Sequence, residues 1–156
     1  MIKVEIPGHK VLHIEHVVLD YNGTMAIDGE LIAGVADLLV RLADHLDVHV
    51  VTADTFGKAR SQLQGVPCTL TILPAGDQAE AKRTYVQQLG AERTVCMGNG
   101  RNDRMMLDEA ALGLVVVQRE GAAVETLLAA DIVCESIVDA LSLLLNPLRL
   151  KATLRS

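Results

Sequence analysis

Asp20 closes the apolar run Val17-Val18-Leu19 and opens the polar turn Tyr21-Asn22-Gly23-Thr24. Three later segments also set polar chemistry beside hydrophobic runs. They are Val50-Val51-Thr52-Ala53-Asp54, a helical segment carrying Lys82, and Met97-Gly98-Asn99-Gly100-Arg101-Asn102-Asp103. A carboxylate attacking phosphorus needs positive charge to bring two anions together. Mg²⁺ takes oxygen ligands, carboxylates and water among them. A lysine adds a compact charge, and a threonine hydroxyl with nearby backbone N–H groups can hold phosphoryl oxygens.

The surrounding patterning supplies elements to position these residues. Residues 2–6 alternate like a half-exposed strand, Pro7-Gly8-His9-Lys10 reads as a turn, and 11–20 reads as one second strand, giving an N-terminal β-hairpin. Val35, Leu38, Leu39, Leu42 and Leu46 are spaced as on a helix over 32–46. Strands are expected at 48–52, 68–73, 94–97, 114–117 and 132–134, and helices at 56–63, 76–89, 103–110, 124–130 and 137–145. Strands alternating with single helices predict an α/β, doubly wound, Rossmann-like, mostly parallel sheet with helices on both faces. In such a sheet the carboxyl ends of the strands line the ligand crevice, where the four segments would converge.

Composition narrows the function. At 156 residues, the chain is expected to form one domain over 1–156, with 148–156 as a flexible tail. One Phe, two Tyr and no Trp argue against base-stacking platforms for nucleic acid, and the net charge of −6 disfavours polyanions and anionic lipid. Cys68, Cys96 and Cys134 lack metal-ligand spacing and read as reduced, buried thiols. No apolar stretch reaches the roughly 18 residues a span requires. The expectation is a soluble, cytoplasmic protein with neither nucleic acid nor membrane as partner.

In this order the motifs resemble the haloacid dehalogenase-like superfamily, and most closely its soluble, P-type-ATPase-like branch. The resemblance is carried by Asp20-Tyr21-Asn22-Gly23-Thr24, Thr52-Ala53-Asp54, Lys82 and Gly98 to Asp103, and runs from about Val17 to Asp108. It implies an Mg²⁺-dependent phosphohydrolase working through an aspartyl-phosphate intermediate. Asp20 would be the nucleophile, and Asn22, Thr52 and Lys82 the other catalytic positions. Asp20, Gly23, Thr52, Ala53, Lys82 and Asn102 would hold the phosphoryl group; Asp20, the Asn22 carbonyl, Asn99 and Asp103 would hold the metal. Arg83 and Lys58 are rivals for the role of Lys82.

Two positions depart from the family pattern. Asn22 stands where most phosphatases of the superfamily have a general acid–base Asp, and Asn99 where they have a first metal-loop Asp. Losing a general acid–base costs roughly 10²- to 10⁴-fold, so turnover should be slow on alkyl phosphates. With two acidic ligands, Mg²⁺ affinity should be weak, and Asn99→Asp should raise it. The alternative is a regulatory module that binds phosphate or nucleotide without turnover. A receiver-type signalling domain is disfavoured, since its phosphoacceptor follows a middle strand.

Other residues are left with blander readings. His13 and His16 should point to opposite faces of one strand, and His45 and His49 should lie at the surface. Met105 and Met106 read as core, and Asp54 as either a substrate contact or a helix N-cap. The intervals between motifs leave no room for a cap domain, so the site should be open. A small phosphorylated substrate or a phosphoprotein would fit it, and the protein is expected to be a homo-oligomer whose neighbouring subunit could cover it.

Overall fold

The structure is a computed structural model describing residues 1–156. Strands β1 (Ile2–Glu5) and β2 (Val11–Ile14) pair antiparallel as a separate hairpin, with Ile2 opposite Ile14. Strand β3 (His16–Leu19) follows immediately but joins a different sheet. The expected single strand over 11–20 is thus broken at Glu15. The sequence carries the mark of this break: burial alternates along β2, whereas Val17, Val18 and Leu19 are all buried. Alternation suits a sheet with one covered face, and a continuous apolar run suits a strand covered on both.

A second small hairpin, β4 (Ala26–Ile27) with β5 (Glu30–Leu31), lies in the turn after Asp20 and was not expected. The main sheet adds β6 (Asp47–Thr52), β7 (Thr69–Ile72), β8 (Thr94–Gly98), β9 (Leu112–Val116) and β10 (Ile132–Cys134) to β3. Its order is β10-β9-β8-β3-β6-β7, and every pairing is parallel. From β3 the chain builds outward through β6 and β7, then returns to the other side of β3 for β8, β9 and β10. The order therefore reverses at β3, where a doubly wound sheet opens its crevice.

Helices α1 (Val35–Leu42), α2 (Ala59–Gln62), α3 (Gln78–Leu89), α4 (Arg104–Glu109), α5 (Val124–Ala129), α6 (Ile137–Leu145) and α7 (Pro147–Leu154) complete the chain. On one face Val17, Leu19, Val50 and Met97 pack with α1, α6, α7 and the β1–β2 hairpin. On the other, Val18, Val51, Cys96 and Val115 pack with Val86 of α3 and Met106 and Leu107 of α4. No cap domain interrupts the fold, and no helix is long and apolar enough to cross a membrane.

Three elements differ in extent from expectation. Helix α1 begins only after Gly34, whose φ of 89° is left-handed, and α2 is a single turn preceded by Gly57 at φ 68°. The expected flexible tail is instead α7. Pro147 cannot continue α6, and it occupies the first turn of a new helix, where its missing N–H costs nothing. Leu150 is 0% exposed, and α7 lies against β1.

Candidate active site

Asp20 follows β3 directly, and its N–H donates to the Met97 carbonyl of β8 at 3.0 Å. The Tyr21 carbonyl accepts from the N–H groups of Thr24, Met25 and Ala26, winding the loop into a tight turn. The buried Tyr21 hydroxyl donates to the Gly29 carbonyl at 2.8 Å, tying that turn to the β4–β5 hairpin. Gly23 is required here: its φ is 77°, and a Cβ would lie 2.3 Å from Asn99 Nδ2.

Lys82 is 0% exposed and donates to Asp20 Oδ1 and Asp103 Oδ1, each at 2.7 Å. It reaches them from α3, which Asp77 caps by accepting from the Glu80 N–H. Two carboxylates and one ammonium leave a formal charge of −1 in a buried space. Burial pushes Asp20 up to about 7, and the Asp103 charge pushes the same way, with Lys82 only partly opposing them. Burial alone would lower Lys82, but Asp103 and Asp20 override it and hold the ammonium above its usual range. The rivals are elsewhere, Arg83 paired with Glu80 and Lys58 with Glu30.

Asp103 is fully committed. Its second oxygen accepts the Asn99 and Gly100 N–H groups at 3.0 and 2.9 Å, closing the loop after β8. Gly98 permits this approach, since a Cβ there would lie 2.5 Å from Asp103 Cγ. With both oxygens engaged, Asp103 fits a loop-closing, lysine-holding role better than the metal-ligand role expected of it.

The oxygen donors better suited to a cation lie on the other side of Asp20. The buried Thr24 hydroxyl is 3.2 Å from Asp20 Oδ2 and 3.1 Å from Asn99 Oδ1. One hydroxyl hydrogen cannot serve two acceptors together, so one oxygen keeps unmet capacity. The Asn22 carbonyl receives no donor from the chain, and Asn22 Oδ1 is buried without a partner. These oxygens fit a hard divalent cation, though with a single carboxylate among them. No group of three His, Cys, Asp or Glu side chains gathers anywhere as a metal cluster would.

Thr52, at the end of β6, supplies the expected hydroxyl. Its oxygen accepts the Asp54 N–H at 2.9 Å, leaving its hydrogen free to donate. The N–H groups of Asn22 and Ala53 are likewise unpaired, while the Tyr21 N–H is directed at the Asp20 carboxylate. Two other expected phosphate contacts are not brought in. The Gly23 N–H donates to Ala26 at 2.8 Å, and Asn102 Nδ2 donates to Gln78 Oε1 at 2.9 Å. Asp54, at φ 55°, accepts the Ala59 N–H at 3.0 Å, the first N–H of α2, although the N-cap position itself is Lys58.

No family model matches the chain. An uncharacterized protein of Methanocaldococcus jannaschii is 44% identical over 84 residues, covering 51% of this chain and 90% of that protein. The cobalt-bound deoxy-D-mannose-octulosonate 8-phosphate phosphatase of Haemophilus influenzae superposes with a TM-score of 0.73 at 15% identity, covering 92% of this chain and 94% of that one. A putative HAD superfamily (subfamily III A) hydrolase of Legionella pneumophila gives 0.67 at 16%, covering 90% and 87%. The chain belongs to the archaeal protein's family and has the haloacid dehalogenase-like fold. A third structure with this fold, 3-deoxy-D-manno-octulosonate 8-phosphate phosphatase of Moraxella catarrhalis with magnesium, phosphate and KDO, gives 0.67 at 16%, covering 86% and 87%.

On this haloacid dehalogenase-like scaffold, the sequence motifs converge on the carboxyl ends of β3, β6 and β8. The role of Thr24 as a hydroxyl bridge was missed, although the residue lies inside the recognised loop. The histidines also differ from expectation. His13 and His16 belong to different strands, and His49 is buried at 9% exposure. His49 Nδ1 lies 2.9 Å from the Tyr85 hydroxyl, and its Nε2 lies 3.3 Å from His16 Nδ1.

Proposed function

We propose that the chain is a divalent-cation-dependent phosphohydrolase of small phosphorylated substrates, with Asp20 as nucleophile. The observation carrying this reading is Asp20 itself, a carboxylate held by a buried lysine beside two unpaired N–H groups and a free threonine hydroxyl donor. In the reaction, an Asp20 oxygen forms a bond to phosphorus as the bond to the leaving oxygen breaks. Lys82 and the N–H groups of Asn22 and Ala53, with the Thr52 hydroxyl, stabilise charge on the phosphoryl oxygens. Water then attacks phosphorus of the aspartyl phosphate, releasing phosphate and restoring Asp20.

A bound Mg²⁺ would supply electrostatic stabilisation of the phosphoryl charge and help orient the phosphate. Asp20 Oδ2, the Asn22 carbonyl and Asn99 Oδ1 are the groups that would hold it. Asn22 cannot donate a proton to a departing alkoxide at neutral pH, nor take one from water. The substrates should therefore be those whose leaving groups depart unprotonated, acyl and aryl phosphates above all. Asn22 and Thr52-Ala53-Asp54 also favour the soluble P-type-ATPase-like branch. The experiment is hydrolysis of nitrophenyl phosphate with and without Mg²⁺, comparing wild type with Asp20→Asn. Equal turnover by the two proteins would refute the nucleophile assignment.

A second reading is favoured by the amides themselves. The Asn99 side chain has partners within the chain at both ends, Gly121 at its Nδ2 and the shared Thr24 hydroxyl at its Oδ1, as expected of a settled feature in a phosphate-binding module without turnover. Phosphate binding by calorimetry, with no hydrolysis of acyl or aryl phosphates, would support that module over the enzyme.

A further inference from the structure

The segment after β9 touches both loops of the site, although no motif marks it. Gln118 Nε2 lies 3.2 Å from the Gly23 carbonyl and 2.9 Å from the Thr24 carbonyl, and donates to both. Gln118 Oε1 accepts the Ile137 N–H at 2.9 Å, at the start of α6. A few residues on, the Gly121 carbonyl accepts from Asn99 Nδ2 at 3.1 Å, and the Ala123 N–H donates to the Asn99 carbonyl at 2.9 Å. The Thr126 hydroxyl donates to the Gly100 carbonyl at 2.7 Å.

We infer that Gln118 is a positioning residue for the nucleophile loop, fixing Asn22 to Thr24 relative to Asp20 and Asn99. This rests on Asp20 being the nucleophile of a phosphoryl-transfer site. The amide suits the task because its two ends differ: the NH₂ can meet two carbonyls while the oxygen meets an N–H. Neither an acid nor a hydrocarbon does both. Holding the Gly23 and Thr24 carbonyls aims the Asn22 carbonyl and the Thr24 hydroxyl, and sets the Asn22 N–H group against the phosphoryl position. Gln118 touches no reacting atom.

The test uses two variants of the full chain. Gln118→Met keeps the length and loses both contacts; Gln118→Glu keeps an acceptor for Ile137 but cannot donate to the carbonyls when ionised. If Gln118 positions the loop, both should lower kcat/KM for nitrophenyl phosphate by about 10²-fold, the scale of a 1 Å misplacement. The inhibition constant for vanadate should rise in step, which partial unfolding would not produce. Amide hydrogen exchange at Gly23, Thr24 and Ala26 should quicken in both. A loss confined to Gln118→Met would mean that Gln118 only anchors α6, and would overturn the inference. Should wild type hydrolyse no phosphate ester, the phosphohydrolase reading fails by itself. Exchange then decides about Gln118: faster loop exchange in both variants upholds the anchoring of the loop, and unchanged exchange overturns it.

Discussion

Asn99 and Gly121 fix the orientation of an amide in the site. Because Asn99 Nδ2 donates to the Gly121 carbonyl at 3.1 Å, Asn99 Oδ1 must face Thr24 and Asp20. The asparagine is thus held as an oxygen donor, and a carboxylate in its place would set an anionic oxygen against the Gly121 carbonyl.

Asn99→Asp should accordingly have two effects. Without metal it should destabilise the protein by about 1–3 kcal/mol, the scale for a lost partner plus an unsatisfied group. With Mg²⁺ it should gain more in Tm than wild type does, since a second carboxylate would join the oxygen donors. Thermal melts with and without Mg²⁺ measure both. An unchanged metal-free Tm would show that the Gly121 contact contributes nothing.

Gly23→Ala should damage the same place from the other side. The residue would carry a left-handed φ, costing about 1–2 kcal/mol, and its methyl would collide with Asn99 Nδ2. Loss of both stability and metal response is expected in urea unfolding and calorimetry. Wild-type values in both would mean that the two loops do not approach as described.

Lys82→Met removes the cation between two buried carboxylates. Breaking such a group costs about 3–5 kcal/mol, less whatever Asp20 recovers by taking a proton. Urea unfolding at about pH 9 should show the loss, and it should shrink toward about pH 6 as Asp20, near 7 even beside Lys82, takes a proton. A pH-independent cost would argue that packing, rather than charge, is what Lys82 contributes.

His49 gives the stability a pH dependence of known sign. Burial lowers its pKa below the usual 6.5, the His16 charge adds to this, and Asp47 opposes it. Between the depressed value and 6.5 the unfolded chain binds more protons, so this contribution falls as pH drops through that window. Asp20, raised in the folded state, acts with the opposite slope. The difference between wild type and His49→Gln isolates the histidine, and the advantage of wild type should diminish from pH 7.5 to 5. A constant difference would place His49 outside the titration.

Much of the site was legible because its residues end hydrophobic runs. Asp20 and Asn99 follow strands buried on both faces, Thr52 ends another, and Lys82 stands at the buried side of a capped helix. What the sequence concealed depends on partners far along the chain. Gln118 meets carbonyls 95 and 94 residues away, in a segment without periodicity. His49 lies on a strand whose alternation is masked by burial on both faces, so its contact with Tyr85 had no local sign. Helix α7 was missed because a proline that stops one helix also begins the next. The Gly23 N–H, expected at the phosphate, is instead committed to the turn that its own glycine makes possible.

The full burial of Lys82 also governs how the protein meets amine-acylating reagents. The chain has five lysines, and the other four are Lys3, Lys10, Lys58 and Lys151. An acylating reagent cannot reach Lys82 in the closed fold, and the protonated ammonium held there is a poor nucleophile. Its labelling must wait until α3 lifts from β3, so the rate at which mass spectrometry finds Lys82 modified becomes a clock for the opening of the catalytic edge. A phosphate mimic that pins that edge should slow the clock while leaving acylation of exposed Lys58 untouched.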